Sequence, residues 1–217
     1  SIDGRKEYGV LLKIIPSIAF VFCVALGYFG GAIGFWRFLV YLAVFHFIRQ
    51  QIGFFRIYNK GRDIFSESII YVITFSSILI WHLSPDKAFQ WFIKDDFFKL
   101  NFGLVTPYVV TALHILSIGS FILYLGRKFK KTSANLVVIS TFCAWHFGIA
   151  TSNSDFVFTV TNVLTHGIPY MTLVWHTQKK EKSIFADLYL FLAIIVVFAF
   201  VEEGLWDSLV WREHSQY

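Results

Sequence analysis

Seven histidines are spread along the chain, and four of them, His46, His114, His146 and His166, fall well inside long apolar runs. An ionisable side chain in hydrocarbon is costly unless something pairs with it or ligates it, so each is a functional hypothesis by default. Counted from the expected outer end of each run, His46 is 12 residues from Gly34, His114 is 13 from Asn101 and His166 is 11 from Asp155. At a helical rise of about 1.5 Å per residue, these three share a depth of roughly 17–20 Å. Three imidazoles at one depth on three helices can converge on one point, and neutral imidazole is the commonest metal ligand. His146 is only about 5 residues from the end of its run and joins them if that helix extends or tilts. The competing reading makes each histidine part of a polar seam, bonded to a serine, threonine or carbonyl of a neighbouring helix.

A second pattern surrounds His166. Asp155, Thr159, Asn162, His166 and Tyr170 are spaced 4, 3, 4 and 4 apart, one stripe of a regular helix. Asp155, Asn162 and Tyr170 are therefore the candidate catalytic side chains, beside a metal set of His46, His114, His146 and His166. Pro169 lacks an N–H and frees backbone groups one turn earlier, which is tolerated where the opening lines a cavity. Near the first histidine, His46, Arg49, Gln50 and Gly53 share a face, with Arg49 placed to snorkel toward the interface. Glu202, Glu203 and Asp207 mark where the last run leaves the membrane.

A histidine-dominated site without thiolates suits iron, zinc or copper. Iron with open positions would do oxygen chemistry on an apolar substrate, and zinc would activate water. A haem between two facing histidines and a proton or solute path along the polar stripe are the alternatives. Cys23 and Cys143 lie in apolar runs and read as buried free thiols. No HExxH, GxSxG, Walker A or GxGxxG word occurs, so zincin, serine-hydrolase and nucleotide-driven readings lack support. The chain holds 26 Phe, 10 Tyr and 7 Trp, and such rings line pockets for long apolar ligands well.

The elements that must position these residues are membrane helices. Charged residues make up 15% of the chain against about 25% in a soluble domain, and mean hydropathy is +0.61. Seven apolar runs, roughly 9–30, 34–56, 68–84, 101–125, 133–151, 155–176 and 184–206, predict an all-α polytopic bundle of about seven spans. One integral membrane domain, 1–217, is the economical reading. Fourteen of the 19 Lys and Arg fall on the side of the N-terminus. That bias puts the N-terminus in the cytoplasm and the C-terminus outside, and leaves no basic face for nucleic acid. Residues 85–98, with Phe89, Trp91, Phe92 and Ile93 among Lys and Asp, predict an interfacial helix. No charged segment with a cleavage site precedes the first run, so no removable signal peptide is expected.

Two short words carry a family resemblance. His146-Phe147-Gly148-Ile149-Ala150 and Ile168-Pro169-Tyr170-Met171 resemble fragments of bacterial Brp/Blh-type β-carotene dioxygenases. The likeness covers about a dozen residues. In that family an Asp closely follows the His-Phe-Gly word, whereas Asp155 comes several residues later here, and an early Pro-His-Gly word is absent. The resemblance implies a bacterial inner-membrane protein in which His146 helps hold an iron that acts on a lipid-soluble substrate.

Overall fold

The structure is a computed structural model that describes residues 2–88, 97–128, 133–180 and 186–207. Among these, every regular element is helical: α1 (Ile2–Asn59), α2 (Ile64–Leu83), α3 (Thr106–Lys128), α4 (Ser133–Phe142), α5 (Asp155–Asn162), α6 (Ile168–Lys180) and α7 (Leu188–Trp206). A 3₁₀ turn, Gly103–Val105, leads into α3. α4 continues as a π-helix, Cys143–Thr151, and a shorter π segment, Val163–Gly167, joins α5 to α6. The interfacial helix expected over 85–98 falls mostly outside the described residues.

Among the described residues, five helical stretches are long and apolar enough to cross a membrane: Ile14–Asn59, Ile64–Leu83, Gly103–Arg127, Ser133–Thr151 and Leu188–Leu205. Their exposed apolar surface suits a lipid bilayer. The stretch 155–180 is helical but is not among them, because its threonines, asparagine and histidine dilute the apolar content. Ile14–Asn59 runs for 46 residues, about twice the 20 or so that cross one hydrocarbon core. Its backbone leaves helical geometry at Gly31, with φ 65° and ψ −177°. Only glycine takes that conformation without a steric penalty. The break lies in the Gly30–Ile33 connection expected between the first two runs.

Contacts group the chain into two compact units, Ser1–Thr165 and His166–Tyr217. In the first, α2 is the hub, packed against α1, α3, α4 and the π-helix Cys143–Thr151. Ile48, Ile52 and Phe55 of α1, Ile70 and Ile73 of α2, and Val138, Phe142 and Trp145 beyond them form the core. α2 also buries hydroxyls, which it satisfies itself. Thr74 Oγ1 donates to the Ile70 carbonyl at 2.9 Å and Ser77 Oγ to that of Ile73 at 2.8 Å. At its start the Asp63 carboxylate caps the helix, accepting from Phe65 N at 3.2 Å and Ser66 Oγ at 2.9 Å. The buried Glu67 carboxylate takes a two-pronged bond from Arg56, Nε at 2.8 Å and Nη2 at 2.7 Å, the strong geometry for this pair. α3 and α4 are joined by Tyr124, whose hydroxyl donates to Asn135 Oδ1 at 2.7 Å.

Pro169 has no N–H to offer the carbonyl four residues back, that of Thr165. Gln51 of α1 supplies the missing donor, its Nε2 lying 3.2 Å from Thr165 O. The freed backbone group is therefore satisfied across the bundle, as hydrocarbon requires. Among the described residues, the second unit is a pair of helices, α6 and α7. Asp187 caps α7 by accepting from Leu190 N at 2.8 Å, and the Trp175 indole of α6 donates to the Ala186 carbonyl at 3.1 Å.

The π-helix approaches α5 most closely at Gly148, where an added Cβ would overlap Thr161 Oγ1. That hydroxyl is held by the carbonyls of Val157 and Phe158, at 2.8 and 3.1 Å, and has little freedom to retreat. Gly148→Ala is expected to cost about 1–3 kcal/mol, the usual penalty for overpacking. The measurement is the thermal melting midpoint in detergent. Adding Thr161→Ala should recover part of the loss, because it deletes the overlapping atom.

Candidate functional site

The site is built where α3 meets the π-helix Cys143–Thr151. A π turn is wider than an α turn and occurs frequently at functional positions. Here it closes with Ser152 N donating to the Phe147 carbonyl, five residues back, at 2.9 Å. Small residues permit the close packing of this segment: Ala144, Gly148 and Ala150 are all buried. The widened turn presents His146 to α3, on which His114 and Ser117 share a face at i, i+3 spacing.

His114 and His146 meet edge to face, with ring centroids 5.2 Å apart and planes at 83°. His146 is buried and Ser117 is wholly so. The Nδ1 of His146 lies 3.1 Å from Ser117 Oγ, which leaves Nε2 as the nitrogen able to serve a ligand. One face of the imidazole is stacked with Phe142, at 4.8 Å and 8°, and Phe142 in turn stacks with Phe121 at 4.1 Å and 2°. Phe147 adds an edge contact to His146 at 5.7 Å. The result is a pair of imidazoles, His114 half-buried and His146 buried, the latter oriented by a buried hydroxyl and flanked by aromatic rings.

The remaining sequence candidates are placed as follows. His46 lies on an exposed face of α1, its ring beside Phe47. Asp155 and Asn162 are half-buried on α5. His166 opens the second unit, half-buried, and Tyr170 is exposed on α6. The wider turn at Val163–Gly167 shifts the register after Asn162, so regular α spacing does not carry the stripe through His166 to Tyr170. Among the described residues, no three His, Cys, Asp or Glu side chains are grouped to hold an ion. His82 serves the architecture: its Nδ1 is 2.8 Å from the Phe98 carbonyl and its Nε2 3.4 Å from the Tyr41 hydroxyl. Cys23 and Cys143 are free and half-buried.

No family model, curated protein or solved structure matches the chain. The reading of the site therefore rests on its own residues.

Two of those residues escaped the sequence pattern. Ser117 had a signal, since it follows His114 by three positions. Lys87 had none, being one basic residue among several between runs. Its ammonium donates to the carbonyls of Ile149 at 2.5 Å, Ala150 at 2.8 Å and Ser152 at 2.7 Å. These belong to the last turn of the π-helix and the residue that follows it, where a cation is favourable. The adjacent Ala88 N donates to Asn153 Oδ1 at 2.7 Å. Lys87 thus clamps the C-terminal end of the segment that carries His146.

Burial, and secondarily the charge of Lys99, push Lys87 from its ordinary 10.5 down to about 8. A lowered folded-state value means that the unfolded chain binds the extra proton between those limits, so stability rises with pH across that window. Lys87→Met removes the titrating amine. The difference in melting midpoint between the native chain and this variant is expected to be flat below pH 8. It should then move in favour of the native chain between pH 8 and 10.5. A difference that stays flat, or falls, across that interval contradicts the assignment.

Proposed function

We propose that the protein is a membrane-embedded metal enzyme in which His114 and His146 hold a first-row transition metal, iron first among the candidates. The contact between these two imidazoles carries the reading. Their 5.2 Å centroid separation is close to the about 5 Å expected of two rings sharing a tetrahedral ion at bond lengths of roughly 2.0–2.1 Å. Rings in direct edge-to-face contact suit a shared ion better than a haem plane between them. The likeness of the His146-Phe147-Gly148 word to β-carotene dioxygenases supports iron over zinc.

Each neighbour has a role in this proposal. With Ser117 Oγ accepting, the Nδ1 of His146 would keep its proton and leave the Nε2 lone pair available to an ion, the usual support for a ligating histidine. Phe142, backed by Phe121, covers one face of the His146 ring. An ion with open positions would supply oxygen chemistry to a lipid-soluble apolar molecule. The topology proposed with it has seven spans, α1 crossing twice about Gly31 and the stretch 155–180 crossing once. The basic residues favour a cytoplasmic N-terminus and an exterior C-terminus in a bacterial inner membrane.

The test is metal analysis by mass spectrometry on the full chain, purified in detergent and loaded anaerobically with ferrous iron. One bound ion per chain is expected. His114→Ala and His146→Ala should abolish it, and Ser117→Ala should weaken affinity about 10–100-fold. His46→Ala should leave binding intact. A chain that holds no metal, or that keeps it in the His114→Ala/His146→Ala double variant with an unchanged melting midpoint, overturns the proposal.

A second reading, a proton path, draws on the buried hydroxyls and amide of the first unit. Gln51 links Thr141 Oγ1, 3.3 Å from its Oε1, to the Thr165 carbonyl at 3.2 Å. It requires pH-driven flux into vesicles by metal-free protein, which Gln51→Leu would reduce.

A further inference from the structure

A cavity of about 570 Å³ opens at the end of α2 and the start of α3, within the range of pockets that take small-molecule ligands. Leu83, Leu100, Pro107 and Val110 supply apolar lining, and the partly exposed pair Asp86 and Lys99 lines it as well. Val110 precedes His114 by four residues. This lining residue and the imidazole therefore share one face of α3, about 6 Å apart along the helix.

The polar groups around this cavity are already engaged with one another. Lys99 is paired with Asp86 at 3.2 Å and donates to the Ser84 carbonyl at 3.3 Å. Asn101 Oδ1 accepts from Gly103 N at 2.8 Å and from Thr106 Oγ1 at 3.2 Å, while Thr106 Oγ1 accepts from Phe102 N at 2.8 Å. Neither sign of charge is left uncompensated for an ionic headgroup. An uncharged hydroxyl or carbonyl can still bond to these groups as a further donor or acceptor.

The roof is fastened from several directions. Leu100 N donates to the His82 carbonyl at 2.9 Å, Phe98 N donates to the Tyr41 hydroxyl at 3.2 Å, and the Arg37 guanidinium lies 4.1 Å over the Phe98 ring. A preformed pocket costs its ligand little ordering entropy.

We infer that this cavity binds the substrate: a lipid-soluble molecule with an apolar body and an uncharged hydroxyl or carbonyl end. The polar end sits at the Lys99–Asp86 pair and the apolar body lies along Leu83, Leu100 and Val110 toward His114. The inference rests on the reading of His114 and His146 as the reacting centre.

The experiment uses the full chain in detergent with a hexadecanol carrying a diazirine in its alkyl chain. Photolysis is followed by mass-spectrometric mapping of the adducts. Adducts should concentrate at Leu83, Leu100 and Val110, and excess unlabelled hexadecanol should compete them away. Val110→Trp, and independently Leu100→Trp elsewhere in the lining, should cut labelling at least five-fold. A probe of the same length ending in a quaternary ammonium should label the cavity at least five-fold less. Labelling spread evenly over the exposed apolar side chains, or undiminished in both tryptophan variants, overturns the inference, and equal labelling by the cationic probe overturns the uncharged end. The two proposals separate in the native chain, assayed both for iron binding and for labelling. Cavity labelling in a protein that never binds iron sinks only the metal reading, whereas iron binding without cavity labelling sinks only this one.

Discussion

Hydrocarbon offers no hydrogen-bond partners, so every polar group inside the bundle must find one within the protein. This constraint orders most of the first unit. α2 is largely buried, and its Thr74 and Ser77 return their hydroxyls to its own carbonyls. The Glu67 carboxylate at its start is buried only in the grip of Arg56. Where Pro169 withdraws a backbone donor, an amide from α1 takes its place at Thr165. Where the π-helix ends, three carbonyls converge on one ammonium.

The candidate site is a product of the same rule. His146 is carried inward by a widened turn that small residues make possible, and its Nδ1 is matched by Ser117. His114 reaches the same place from α3. Both ends of the segment are secured: Phe142, which precedes it, stacks with Phe121 of α3, and Lys87 holds the carbonyls at its close. The rings therefore stand in a fixed relation on rigid elements, which is what a binding or catalytic constellation requires.

The apolar helices Ile64–Leu83, Gly103–Arg127, Ser133–Thr151 and Leu188–Leu205 were readable from the sequence, as was a break near Gly31, because helix length and hydrocarbon thickness are both set by simple geometry. The histidine pattern was only half readable. Depth along a helix follows from residue counting, but convergence also needs azimuth, which depends on how the helices pack. His46 has a suitable depth and faces outward on α1. His146 was counted as shallower than the other three, joining them if its helix extends or tilts, and it is the histidine that meets His114. The polar stripe from Asp155 to Tyr170 assumed 3.6 residues per turn throughout, and the π segment Val163–Gly167 breaks that assumption midway. Nothing in the local sequence distinguishes Lys87 from a topological charge. Its role arises from carbonyls more than sixty residues away.

The near-parallel stack of Phe142 against His146 also has a magnetic consequence. Imidazole protons held over the face of a benzene ring sit in its shielding cone, so the resonances of His146 are displaced upfield from those of an exposed histidine such as His46. The ladder of rings thereby gives this buried imidazole a chemical-shift signature of its own, one that reports the integrity of the π-helix without any bound ligand.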